Sequence, residues 1–174
     1  AQHDLYHIYT VDRHSLQAVA EIEKMVAAGS APLKSVKSLR VLYLAALLHD
    51  IGKGSGRDHS RQGATLVEGI GARLHLAPRE IDSLVFLVRY HLFMPESAMR
   101  RDLNDGVFIR RCAETIGDLD RLSMLYLLSV ADSRATGPSA WSDWKGALLE
   151  ELYFKVYQQL DMARHGVLDA GAHE

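Results

Sequence analysis

Nine histidines in 174 residues is a generous supply of the side chain that titrates near neutral pH and most often binds metal. Their placement says more than their number. His14, His59 and His91 each take a slot on an otherwise apolar helical stripe, and His49-Asp50 closes the longest apolar run, Val41 to Leu48. Asp132 continues a helical face made of Leu122, Leu125 and Leu128. An ionised carboxylate on an apolar face is disfavoured by roughly several kcal/mol unless it is paired or holds a metal. One divalent cation centre accounts for four such histidines and two such carboxylates together. A mixed imidazole and carboxylate set suits Mn, Fe, Co, Ni or Zn better than Ca or fully hydrated Mg. Each position also has a plainer reading, because a lone histidine on a helix is commonly a core or rim residue with one hydrogen bond. His75, His165 and His173 are read in that way, and His3 and His7 as packing or surface residues.

Helices must position these groups. Val11, His14, Ala18, Ile22 and Met25 step by three and four, with Thr10 as the expected N-cap and Gly29 as the stop. Ser30-Ala-Pro reads as a linker. A second helix starts near Ser38 and is apolar all round after Arg40, so it is expected to be the central buried one. Gly52, Gly54 and Gly56 then force a loop. Asp58 is expected to cap a third helix whose inward face is His59, Gly63, Leu66, Ile70 and Leu74. Pro78 opens a fourth, with Ile81, Leu84, Val88 and His91 inward. Met94 to Asn104 reads as a loop or short broken helix. Phe108, Cys112 and Ile116 mark a fifth, and the leucines leading to Asp132 a sixth. Trp141, Trp144, Leu148, Leu152, Val156 and Leu160 mark a long last helix, with a frayed tail after His165. No strand pattern competes. The expected fold is all-α: a single helical bundle of about seven helices on one core.

Composition narrows the function classes. Hydrophobic residues make up 48%, charged residues 24%, and the net charge is −2, so this is a globular chain without the basic excess of a DNA-binding protein. The single cysteine, Cys112, excludes a disulfide framework and a cysteine zinc cluster and suits a reducing, cytoplasmic setting. No apolar run approaches the ~20 residues of a membrane span, and no signal peptide is visible. The chain starts at Ala1, which is compatible with a fragment of a longer polypeptide.

The order His14, His49-Asp50, Asp132, with "LLHDIGKG" between, resembles the HD superfamily of metal-dependent phosphohydrolases, and His59 and His91 resemble its two-metal variant. Four longer segments sharpen the likeness: "DLYHIYTVDRHSL", "LAALLHDIGKGSGRDHSRQGA", "RRDLND" and "VADSRATGPSAWSDWKGALLEELY". They look like the HD domain of the bifunctional PII uridylyltransferase/uridylyl-removing enzymes of bacterial nitrogen regulation. The resemblance runs over about residues 3–162, and Arg13 stands where an acidic residue is expected. In that family a nucleotidyltransferase domain precedes the HD domain and ACT domains follow. Neither is found here: Gly29-Ser30 lacks the Asp-x-Asp a transferase needs, and Asp118-Leu-Asp120 is better explained as a helix N-terminus. Residues 1–174 are therefore expected to be one HD domain.

The resemblance implies hydrolysis of uridylyl-tyrosine on PII, giving UMP. It implies a first cation held by His14, His49, Asp50 and Asp132, and a second held by His59 and His91 with Asp50 bridging. The ion is one or two of Mn, Fe, Mg, Co or Zn. Asp50 and Lys53 become the catalytic candidates. Lys53 serves the phosphate or the leaving group, or is a surface lysine beside a glycine turn. Arg100, Arg101 and Arg134 are candidates for nucleotide or PII contacts, Arg134 because it lies two residues from Asp132; for Arg100-Arg101 a solvated charge pair is the plainer reading. A hydrolase of small mono-, tri- or cyclic nucleotides, or a non-catalytic metal-bound regulatory module, are the alternatives. An isolated buried carboxylate at 50 is expected to be costly without metal, so Asp50→Asn is expected to leave the metal-free fold at least as stable.

Overall fold

The computed structural model describes residues 11–54 and 58–171. Eight α-helices follow one another in them: α1 (Val11–Ala27), α2 (Leu39–Leu48), α3 (His59–Arg73), α4 (Pro78–Tyr90), α5 (Phe93–Arg100), α6 (Gly106–Ile116), α7 (Leu119–Thr136) and α8 (Asp143–Gly171). No strand occurs among the described residues, so the fold is all-α. The helix beyond the expected seven is α5, in the stretch read as a loop or broken helix. Ser30-Ala-Pro leads into a 3-10 turn, Ala31–Ser35, rather than an open linker.

Short polar side chains start the helices where the sequence places them. Ser38 accepts from the Val41 amide, Asp58 from Arg61, Asp105 from Val107 and Asp118 from Arg121. Each satisfies an amide that has no partner within its helix, a contribution of about 1 kcal/mol apiece. The expected Thr10 cap lies outside the described residues.

The central element is α7, not α2. From Leu122 to Ala131 only Tyr126 escapes full burial, and the helix packs against α1, α2, α4, α5 and α8. Its two buried serines are compatible with that position because both are bonded: Ser129 donates to the Leu125 carbonyl at 2.7 Å and Ser123 meets the Tyr153 hydroxyl at 3.4 Å. In α2 one face is buried (Val41, Leu42, Ala45, Ala46), while Leu39 and Leu47 are over two-fifths exposed. In α3 the inward face is Gly63, Ala64, Val67 and Gly71, and Leu66 and Leu74 point outward. Small residues, rather than the leucines, let α3 lie close on α4. Trp141 precedes α8 and Trp144 is 63% exposed, while the expected Leu152 and Val156 are buried, joined by Leu149 and Tyr153. No helix among the described residues is long and apolar enough to cross a membrane.

Candidate metal centre

Five elements deliver polar side chains to one buried point. His14 comes from α1, His49 and Asp50 from the end of α2, His59 from the first turn of α3, His91 from the end of α4 and Asp132 from α7. His14, His49, Asp50 and His91 are all buried to within 2% of full enclosure. The imidazoles stand in a row, with ring centroids 5.1 Å apart for His14–His49, 5.3 Å for His49–His91 and 5.7 Å for His59–His91.

Donor atoms crowd together in two groups that share Asp50. His14 Nε2 is 3.1 Å from His49 Nε2 and 2.9 Å from Asp132 Oδ1. Asp50 Oδ2 lies 3.6 Å from His14 Nε2 and 3.4 Å from His49 Nε2, and Asp132 Oδ1 lies 3.4 Å from His49 Nε2. The other Asp50 oxygen, Oδ1, faces His91 Nε2 at 3.7 Å. Suitable ligand atoms of His14, His49 and Asp50, and of Asp50, His59 and His91, lie within 4.8 Å of one another. Ligands held about 2.1 Å from one ion stand roughly 3.0 to 3.4 Å from each other, and the separations in the first group, 2.9 to 3.6 Å, bracket that spacing.

Tautomers fit the same purpose. His49 Nδ1 donates to the Ala46 carbonyl at 2.9 Å and His91 Nδ1 to the Val88 carbonyl at 2.8 Å. A carbonyl can only accept, so the Nδ1 proton is fixed and the neutral ring aims its Nε2 lone pair into the cluster. The Nε2 of His59 is buried and has no hydrogen-bond partner, an arrangement that a cation would satisfy. These residues therefore fit a divalent cation centre.

The charges are strongly coupled. Burial opposes the protonated form of His49, but Asp132 and Asp50 outweigh it and raise its pKa from 6.5 to about 10. Burial likewise opposes ionisation of Asp50 and Asp132. For Asp50 the hydrogen bond and charge of His49, helped by Lys53, win and hold the carboxyl below its ordinary value. For Asp132 the His49 charge and hydrogen bonds from His14 and His49 hold it well below. Burial and the neighbouring His49 charge depress His91. Lys53 Nζ reaches Asp50 Oδ2 at 2.8 Å, which puts its ammonium at the cluster.

The three arginines go elsewhere. Arg100 and Arg101 line a cavity of about 520 Å³ with Arg111, Phe93 and Phe108. Arg134 stands 4.8 Å over the Trp141 ring and lines a separate cavity of about 660 Å³ with Tyr126, Tyr153 and Tyr157. Residues two apart on a helix point about 200° apart, so Arg134 and Asp132 project from opposite sides of α7. The sequence reading missed Arg111, a third cation of the first cavity. It also missed the Ala46 and Val88 carbonyls, although a histidine just past an apolar helix, three residues from a free carbonyl, carries that signal.

The HD-domain family profile matches residues 5–125. The chain is 44% identical over 168 residues to the bifunctional uridylyltransferase/uridylyl-removing enzyme of Gluconobacter oxydans, covering 92% of this chain and 18% of that protein. The Bordetella pertussis protein of the same name is 43% identical over 180 residues, covering 99% and 20%, and that of Azospirillum brasilense 42% over 160 residues, covering 87% and 17%. The chain thus spans about a fifth of the length of these curated relatives.

Proposed function

This chain belongs to the HD-domain family, and from that premise we propose that it is a metal-dependent phosphohydrolase domain that removes UMP from uridylyl-tyrosine on PII. Within that proposal residues 1–174 act as one HD domain of a longer cytoplasmic protein that also carries nucleotidyltransferase and ACT domains. The observation that carries the chemistry is Asp50, whose two oxygens are divided between the His14–His49 pair and His91. The relatives named uridylyl-removing enzymes support the substrate class.

His14, His49, Asp50 and Asp132 would hold one cation, and Asp50, His59 and His91 a second. Bound there, divalent cations neutralise phosphodiester charge and lower the pKa of water to about 7. The chain's own groups do the rest. The Ala46 and Val88 carbonyls keep His49 and His91 in the tautomer that faces the cluster. Lys53 meets a phosphate oxygen or the departing tyrosine oxygen with its ammonium. A phenol of pKa about 10 departs more readily than a sugar hydroxyl, so one nearby cation suffices without a strong acid. Arg100 and Arg101 contact the protein substrate away from the reacting phosphate, in the cavity they share with Arg111, and Arg134 serves at most an outlying contact.

Two assays test this. Hydrolysis of bis(p-nitrophenyl) phosphate with added Mn²⁺ and loss of activity on chelation separate an enzyme from a non-catalytic module. Uridylylated PII set beside UMP, UTP and cyclic dinucleotides then separates the protein substrate from small nucleotides. Faster turnover of any free nucleotide than of uridylylated PII would defeat the substrate assignment.

A further inference from the structure

Three chain segments carry Asp50, His59 and His91: the turn after α2, the first turn of α3 and the end of α4. They meet at two glycines. A Cβ on Gly52 would stand 2.0 Å from the His59 carbonyl oxygen and 2.7 Å from the Gly63 amide nitrogen. Those two atoms are the acceptor and donor of an i to i+4 pair in the first turn of α3, so the turn lies on bare helix backbone. On the α4 side, a Cβ on Gly63 would meet Val88 Cγ1 at 3.1 Å and the Gly52 nitrogen at 3.5 Å. Val88 is the residue whose carbonyl orients His91. The seam therefore touches the backbone two residues from Asp50, the carbonyl of His59 itself, and the residue that fixes His91.

We infer that Gly52 and Gly63 are positioning residues that set the spacing of the Asp50–His59–His91 cation site, while the site of His14, His49, Asp50 and Asp132 is set by α1, the end of α2 and α7. The inference rests on the metal reading above. Backbone cannot step aside by changing rotamer. A methyl group at 52 must push the turn and α3 apart by roughly an ångström or more, and a ligand constellation tolerates about half that. At 63 the obstacle is one methyl of Val88 at 3.1 Å. Val88 is fully buried and stiff at χ1, so α3 and α4 must part by a few tenths of an ångström, although alanine is the better helix former.

The test uses the purified, chelated chain titrated with Mn²⁺ alone, by calorimetry and by electron paramagnetic resonance. Wild type is expected to take two ions and to show a spin-coupled pair. Gly52→Ala, with helical circular dichroism intact, is expected to keep the first affinity. Its second should weaken about ten- to a hundredfold, leaving the spectrum of an isolated ion. A folded Gly52→Ala with both affinities unchanged, or with both weakened alike, would overturn the inference. If Gly52→Ala does not fold, Gly63→Ala carries the question. It should weaken the second ion alone, and Gly63→Ala combined with Val88→Ala should restore it. Unchanged binding in the first, or no recovery in the second, overturns the inference equally. A wild type that takes one Mn²⁺ or none defeats the two-cation reading itself, so the two failures are told apart.

Discussion

Asp50 faces two groups of imidazoles and one ammonium at once, so its replacement by asparagine reads out most of the site. With cation present, the amide is a poor ligand and removes a charge shared by both groups. Mn²⁺ binding and diester hydrolysis should each fall by at least about a hundredfold, a larger loss than any single histidine change produces. The metal-free outcome differs from the sequence expectation. Asp50 is not an isolated buried charge: Lys53 is 2.8 Å away and His49 is held protonated beside it. A carboxyl with a lowered pKa contributes stability above its ordinary value near 4 that is lost as pH falls. Asp50→Asn should therefore melt below wild type in chelator at pH 7. A melting point equal to or above wild type would show that the pairing contributes nothing. His49 gives a second prediction at this scale. Its pKa is raised from 6.5 to about 10, so its pairing stabilises the metal-free fold fully below pH 6.5 and fades towards pH 10. A metal needs the neutral ring. Mn²⁺ binding at pH 7.5 should then release about one proton, and affinity should rise with pH. Calorimetry in buffers of different ionisation enthalpy would measure this, and no buffer dependence would exclude a protonated His49.

At the scale of elements, periodicity located helices better than it located their faces. The caps Ser38, Asp58 and Asp118 and the opening Pro78 stand where the sequence reading put them, because capping is a local bond between neighbours. The central role of α7 was hidden because α2 holds the longest unbroken apolar run, whereas α7 carries two serines whose burial depends on partners the sequence does not show. The inward face of α3 was misassigned because leucines draw the eye, whereas close helix contact selects glycine and alanine. Of the site, the six ligand candidates converge, since chemistry forbids leaving such groups unpartnered in an apolar face. The arginines do not join them; for Arg134, nearness in sequence to Asp132 says nothing about direction on a helix. One local strain is testable. His75, between α3 and α4, has φ of +54°, a conformation that costs a non-glycine residue about 1 kcal/mol or more. His75→Gly should raise thermal stability by up to about 1 kcal/mol and leave Mn²⁺ binding unchanged. Any loss of stability would mean that its ring holds a contact worth more than the strain.

Across the whole molecule, the candidate site joins α1, α2, α3, α4 and α7, while the apolar core runs through these elements and on into α5, α6 and α8. Two extremes can be imagined for such a design. In one the cations are the staple without which the bundle falls apart, as in small zinc domains. In the other the core suffices and the cations add to it. The core argues for the second. Leu84, Leu87, Leu122, Leu125, Leu128 and Leu152 are among side chains that are fully enclosed, and each contributes roughly 1.5 to 3 kcal/mol on burial. The metal-free cluster also satisfies much of its own charge through His49, Asp50, Asp132 and Lys53. The chelated protein should therefore stay helical and unfold in one cooperative step. Mn²⁺ should raise the midpoint by mass action alone: a free concentration a hundredfold above Kd adds about 2.7 kcal/mol. For a chain of this size that is roughly 5 to 10 °C, and the midpoint should keep rising with the logarithm of concentration. Asp50→Asn should flatten that dependence, since binding is what drives it. Differential scanning calorimetry in chelator and over a Mn²⁺ series would decide. Loss of the helical signal on chelation would make the cations structural, and an equal gain in the Asp50 variant would show that Mn²⁺ stabilises the fold from some other place.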